Sequence, residues 1–346
     1  MPVTVIAEAG VNHNGDIGRA LALVDAAAEA GADIVKFQTF RLAELVTAAA
    51  PKAEYQTAND GAGSQMEMLA RLELKPEAHF RLAERCRQRG IRFLSTPFDI
   101  PSLRFLVDEL AMDRIKVPSG EITNAPLLLA AAGTGLPVIL STGMSTLDEV
   151  REALGVLAWG QSGQGAPCRA AFGAAGLPEA VTLLHCTTEY PTPFAEVNLR
   201  AMATLHREFG LPVGFSDHSV GIHAAMAAVA LGAVVIEKHF TLDRTLPGPD
   251  HKASLEPDEL AALVRGVRDI EAALGDGVKA PQPSELKNMT VARKVLVALA
   301  PIRRGEPLSP ANLGVKRAGR GISPMDYWAR LGTPAARDFA AGEALE

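Results

Sequence analysis

Short apolar runs recur at 3–6, 33–35, 91–94, 114–117, 137–140, 181–184, 212–215 and 234–236, and nearly every one runs into a polar or charged cluster. Between them lie stretches with apolar residues at three- and four-residue spacing, near 17–30, 76–89, 102–110, 125–132, 146–157, 198–209, 222–231 and 257–274. The first spacing is short and strand-like, the second helical, and Gly31 and Gly90 stop two of the helices. Eight strand–helix pairs predict a closed (β/α)₈ barrel, since a doubly wound sheet rarely needs eight even units. A barrel of this kind gathers its functional residues at the C-terminal ends of its strands. The polar clusters therefore mark the candidate site.

Two segments interrupt the alternation. Residues 41–74 fall between the second strand and its helix and carry Tyr55, Gln56, Asn59 and Gln65. Long insertions at that end of a barrel tend to cover ligands, so a substrate lid is expected. Residues 160–179, rich in Gly, Ala and Pro, read as a plain loop. The barrel is expected over 1–275, a linker over 276–290 and a small, mainly β domain over 291–346. That domain shows short runs at 293–299, 302–305, 315–317 and 342–345. At under ~60 residues it is expected to bury little core alone and to pack on another surface.

Composition narrows the function. The net charge of −6 argues against nucleic acid as the main partner, while leaving room for a local basic pocket. No apolar run approaches the ~20 residues of a membrane span, and the N-terminus lacks a basic region followed by an apolar one. Cys86, Cys168 and Cys186 have neither metal-finger nor disulfide-framework spacing, so reduced thiols and a cytoplasmic location are expected.

At the strand ends, His218 and His239 fall on neighbouring strands seven and eight. Two imidazoles there suit a divalent metal with open positions, or equally a hydrogen-bonded pair without one. Glu8, Glu237 or Asp217 are candidates for the missing negative charge, and His185 is a weaker third histidine. Lys36 and Lys116 end strands two and four, where a buried ammonium needs an anion. With Ser119, Ser141 and Ser216 they suggest a phosphate or carboxylate pocket. A Schiff-base lysine, or lysines that only pair with Glu8 and Glu121, remain open alternatives. Glu8 and Glu121 suit general acid–base work. The Pro-Gly-Pro turn before Asp250 would hold that carboxylate toward the mouth.

Ten ordered motifs then resemble the bacterial sialic acid synthases: AEAGVNHNGD at 7–16, VKFQT at 35–39, FLSTPFD at 93–99, KVPSGE at 116–121, LSTGM at 140–144, LHCTTEYPTP at 184–193, GFSDH at 214–218, EKHF at 237–240, PGPD at 247–250 and VKRAG at 315–319. The tail is similar to that family's antifreeze-like (SAF) domain. The resemblance implies condensation of phosphoenolpyruvate with N-acetylmannosamine, giving a nine-carbon 2-keto acid and phosphate. It implies a divalent ion, Mn²⁺ or Mg²⁺, on His218 and His239, and a phosphate held by Lys116, Ser119, Ser141 and Ser216. Thr188 stands beside the phosphate where some members carry Asn. Glu8, Lys36, Gln38, Tyr190 and Asp250 would face the sugar or the reacting carbons. Glu121 would be a catalytic carboxylate, and Glu237 joins the expected catalytic set. Arg317 would reach the sugar's N-acetyl group from the other subunit of a domain-swapped homodimer. The stretches KAEYQ at 52–56 and SQMEML at 64–69 resemble members that make legionaminic acid from a 2,4-diacetamido-6-deoxy sugar, the alternative substrate. A Schiff-base pyruvate aldolase and a non-catalytic sugar-binding barrel are the alternatives from other classes.

Overall fold

The computed structural model describes residues 2–61, 63–162 and 165–346; the Tyr55 side chain lies outside the described residues. Eight parallel strands form one sheet: β1 Thr4–Gly10, β2 Ile34–Thr39, β3 Arg92–Pro97, β4 Ile115–Val117, β5 Val138–Ser141, β6 Val181–His185, β7 Val213–Asp217 and β8 Val235–His239. Their order is β3-β2-β1-β8-β7-β6-β5-β4. The sheet curls until its end strands β3 and β4 touch, without a ladder between them among the described residues. The result is a nearly closed (β/α)₈ barrel, as the alternation of runs predicts.

Parity along each strand decides what faces the barrel interior. Ile6, Ile34, Leu94, Ile139, Leu184 and Val235 form an apolar plug inside the barrel. One step toward the C-terminal end, Glu8, Lys36, Lys116 and Glu237 point the same way and are nearly inaccessible to solvent. The strands thus continue past the apolar runs, and the polar residues sit within them. Outside, helices such as Ile17–Glu29 turn Ala20, Leu23, Val24 and Ala27 onto the sheet. Asp16, Asp99 and Asn124 start three of these helices by accepting a backbone N–H three residues on, which satisfies a donor the first turn leaves free.

The insertion folds into three short helices, Leu42–Leu45, Glu54–Asp60 and Gln65–Ala70. The stretch read as a plain loop at 160–179 is only partly so: helix Leu147–Ser162 enters it, and Arg169–Ala174 forms another turn and a half. The reason is a long-range contact. Gly155 has no Cβ, and a Cβ there would lie 2.4 Å from the Phe172 carbonyl oxygen, so the two helices approach closely. Trp159 meets Phe172 edge-on at 5.8 Å. Among the described residues, no helix is long and apolar enough to cross a membrane.

The chain divides into two compact units, Met1–Gly275 and Asp276–Glu346. In the second, helix Pro283–Ala292 occupies much of the expected linker. Strands β9 Val295–Ala298 and β10 Leu313–Lys316 pair antiparallel. Contrary to the expectation of little core, Leu296, Ile302, Leu308, Leu313, Phe339 and Leu345 bury one another. Isolated bridges from Ile302 to Phe339 and from Val297 to Ala344 draw distant segments over that core.

Candidate active site

Register brings the charged residues together. Glu8 lies opposite Lys36 on one side and His239 on the other, and Ser216 lies opposite Glu237. Lys36 Nζ is 2.6 Å from Glu8 Oε2 and 3.6 Å from Glu237 Oε2. Lys116 Nζ is 3.6 Å from Glu237 Oε1. Lys36 also donates to Thr96 Oγ1 at 3.0 Å, and Lys116 to Ser141 Oγ at 2.7 Å. Burial raises the Glu237 pKa, but Lys116 and Lys36 override it and hold the carboxyl well below its usual range. Burial pushes Glu8 upward against the pull of Lys36. Burial likewise lowers Lys36, yet Glu237 and Glu8 more than restore its proton; Lys116, with weaker compensation, is pulled down by burial. A Schiff base needs a free amine, and the proton on Lys36 is held by two carboxylates.

Around Lys116 the strand ends make a donor-rich cradle. Ser119 Oγ accepts from the Gly143 backbone N–H at 2.9 Å and lies 3.1 Å from Cys186 Sγ. A Cβ on Gly143 would lie 2.5 Å from Thr188 Oγ1 and 2.8 Å from Ser119 Oγ, so any side chain there would displace the hydroxyls of the cradle. Thr188 Oγ1 is buried without a hydrogen-bond partner. An ammonium, hydroxyls and an unpartnered polar atom are the groups that take up a phosphate or carboxylate.

Opposite lie the histidines. His218 Nδ1 is 2.6 Å from the Thr187 carbonyl; donating there fixes the ring and leaves Nε2 as the lone-pair nitrogen. His239 Nδ1 is buried with no hydrogen-bond partner, 3.8 Å from Asp250 Oδ2. The two rings are 5.4 Å apart, and Tyr190 packs on both, at 4.2 and 5.5 Å. Burial lowers the pKa of both histidines, His218 to about 4, and raises Asp250 to about 6. Two neutral imidazoles, His239 with an unpartnered Nδ1 and His218 with an Nε2 that meets only Ser216 Oγ at 3.5 Å, fit a divalent cation, although the described residues bring together no group of three acidic, His or Cys side chains suited to one.

The lysines, carboxylates, hydroxyls and imidazoles converge on a cavity of about 310 Å³. Gln38, which donates to Glu8 Oε1 at 3.3 Å, and Glu121, which accepts from Asn124 at 2.7 Å, line it as well. Every barrel residue to which the resemblance gives a role is therefore at this cavity. Arg317 is exposed in the second unit and donates to the Ala292 carbonyl. Two of the weaker candidates lie elsewhere. Asp217 points to the outer face of β7 and pairs with Lys238 at 3.0 Å. His185 bonds the Val197 carbonyl at 2.8 Å and lines a different cavity. Sequence reasoning missed Thr96, Gly143, Asn124 and the Thr187 carbonyl, which orient the expected residues rather than carry charge. The insertion supplies the remaining wall, with Leu45, Met68, Leu69 and Leu72 beside the amides of Gln56 and Gln65.

Comparison with known proteins decides the family. Residues 23–279 match the NeuB family and residues 293–346 the SAF domain. The chain belongs to the NeuB family. It is 49% identical over 344 residues to N,N'-diacetyllegionaminic acid synthase of Campylobacter jejuni, covering 99% of this chain and 98% of that protein. It is 45% identical over 348 residues to the Legionella pneumophila protein of the same name, covering 100% and 94%. Among solved structures, N-acetylneuraminic acid synthetase of Leptospira borgpetersenii, in complex with citrate, is 36% identical with a TM-score of 0.69, covering 84% of this chain and 90% of that one. As a NeuB-family member the chain is a transferase-type enzyme, phosphoenolpyruvate-dependent and sugar-condensing.

Proposed function

We propose that the protein is an N,N'-diacetyllegionaminate synthase, joining phosphoenolpyruvate to 2,4-diacetamido-2,4,6-trideoxymannose. The observation that carries the chemistry is one cavity with an anion cradle around Lys116 on one side and a lone-pair histidine pair on the other. The choice of sugar reverses the order taken from the motifs, where N-acetylmannosamine came first. Full-length identity of 49% and 45% to two legionaminate synthases, against 36% to a sialic acid synthetase, supports the diacetamido sugar. The lid wall supports it too: a 6-deoxy methyl group suits Met68 and Leu72, and a second acetamido group suits the amides of Gln56 and Gln65.

In this reading Lys116, Ser119, Ser141, Ser216 and Thr188 hold the phosphate. Glu8, Lys36, Gln38, Tyr190 and Asp250 orient the open-chain sugar. C3 of phosphoenolpyruvate bonds to the aldehyde carbon, leaving C2 electron-deficient. Water adds at C2, giving one proton to Glu121, and an equivalent proton turns the former aldehyde oxygen into a hydroxyl. The new C2 hydroxyl then becomes the ketone as the C2–O bond to phosphate breaks, and its proton leaves with the phosphate. Lys116 and the hydroxyls balance the charge on the departing phosphate, and Glu237 keeps both lysines charged. His218 and His239 would hold a divalent cation, Mn²⁺ or Mg²⁺, which when bound polarises the aldehyde oxygen. Arg317 of a second copy in a homodimer would complete the sugar site.

Phosphate release with each sugar in turn tests the assignment. The diacetamido sugar should give the higher kcat/KM by at least about 10-fold, the discrimination that one apolar contact and one matched polar group provide. A preference for N-acetylmannosamine would overturn it.

A further inference from the structure

The 247–254 loop carries Asp250 into the cavity, and its backbone carbonyls are gripped from two directions. From the barrel side, Asn14 Nδ2 donates to the Pro247 carbonyl at 2.7 Å. Ser254 Oγ donates to the Asp250 carbonyl at 2.7 Å and accepts from Asn12 at 2.9 Å. Gly248 leaves no slack: a Cβ there would lie 2.8 Å from His251 and 3.0 Å from Asn14 Oδ1. The carbonyl between these anchors, that of Pro249, is taken by the insertion. Asn59 Nδ2, 190 residues away in sequence, donates to it at 2.8 Å.

The insertion around Asn59 is braced for such a contact. Next to it, Asp60 accepts from Lys52 at 2.7 Å and from Arg71 at 2.8 Å, joining residues on either side of Asn59. The far end rests on the turn after β1, where the Arg71 carbonyl oxygen sits 2.4 Å from the position a Gly15 Cβ would take. Gln56, Gln65, Met68 and Leu69 line the cavity, and Asn59 does not. Its amide points at the loop, away from the space a substrate fills.

We propose that Asn59 is a positioning residue, a latch through which closure of the 41–74 lid and placement of Asp250 become one event. It acts on the sugar through Pro249 and Asp250 without touching it. With the latch made, Asp250 is set 3.8 Å from His239 and the apolar wall of the lid is over the cavity. With the latch broken, both relax together.

Hydrogen exchange on the full-length, ligand-free protein tests this, comparing wild type with Asn59→Asp, which keeps the side-chain shape but loses the donor, and with Asn59→Ala. Both variants should exchange faster over 41–74 and also over 244–255. Faster exchange confined to 41–74 would overturn the proposal, because a direct sugar contact or a purely local role leaves the Asp250 loop unchanged. Kinetics give the second readout. The KM for the sugar should rise about 10-fold, the effect of one lost hydrogen bond, while phosphoenolpyruvate affinity stays within about twofold. Unchanged sugar KM in Asn59→Asp would also overturn it. The exchange experiment uses no sugar, so its outcome is separate from the choice of substrate.

Discussion

Neighbouring residues of β8, Glu237 and Lys238, belong to two lysine–carboxylate groupings that differ in how completely they are satisfied. On the outer face, Lys238 donates to Asp217 at 3.0 Å and to the Ser219 carbonyl, while Asp217 also accepts from the Ser219 backbone at 2.8 Å and its hydroxyl at 2.7 Å. Neither Lys238 nor Asp217 is reached by solvent. On the inner face, Glu237 stands 3.6 Å from both Lys36 and Lys116, and its Oε2 has no hydrogen-bond partner. Thr188 Oγ1 and His239 Nδ1 nearby are also unpartnered. Native interiors pair nearly all their polar atoms. The sealed pair therefore serves the fold, and the open cluster holds valence for a ligand.

Breaking the sealed pair should have the largest effect on stability. Lys238→Met leaves Asp217 buried without its partner and should remove about 3–5 kcal/mol, read from the urea midpoint. The double change Lys238→Met with Asp217→Leu should recover much of that loss. If Lys238→Met is as stable as wild type, the pair is not structural in the way described.

Acid tests the fold at a second buried group, His13, whose Nδ1 accepts from the Gly15 backbone N–H at 2.9 Å while its Nε2 has no hydrogen-bond partner. Burial holds the His13 pKa at about 3, against an ordinary 6.5. Below pH 6.5 the unfolded chain takes up a proton that the fold excludes, so stability is complete above that pH. It falls toward pH 3, by up to about 1.4 kcal/mol per pH unit from this one side chain. Thermal melts of wild type and His13→Asn between pH 7 and 4 should converge as the pH drops. Parallel curves would remove His13 from the account.

The smallest expected effect is that of a single hydroxyl at the edge of the open cluster. Thr188→Val deletes one unpartnered hydroxyl and should raise the KM for phosphoenolpyruvate about 10-fold, with the melting temperature unchanged. An unchanged KM would mean that this atom is not held for the phosphate.

Much of this was legible from residue order, because a barrel obliges polar residues at strand ends to converge. Glu8, Lys36, Lys116 and Glu237 meet for that reason alone. Parity along β7 and β8 held more than the motifs alone conveyed: if Ser216 and Glu237 face inward, Asp217 and Lys238 must face out, which removes Asp217 from the metal candidates. Contacts between segments far apart in sequence left no comparable trace. The helix Arg169–Ala174 depends on Gly155 admitting the Phe172 backbone, and Asn59 finds Pro249 only once the insertion has folded. The core of the second unit was likewise hidden, since its buried residues come from short runs joined by isolated bridges.

The central claim, that the open inner cluster takes phosphoenolpyruvate while the sealed outer pair does not, comes down to one calorimetric titration. Phosphoenolpyruvate is added to full-length wild type and to Lys116→Met at pH 7. Loss of the ammonium that faces Ser141 and Glu237 should weaken binding about 100-fold or more, with the fold intact by its melt. Equal affinity in the two proteins would contradict the account.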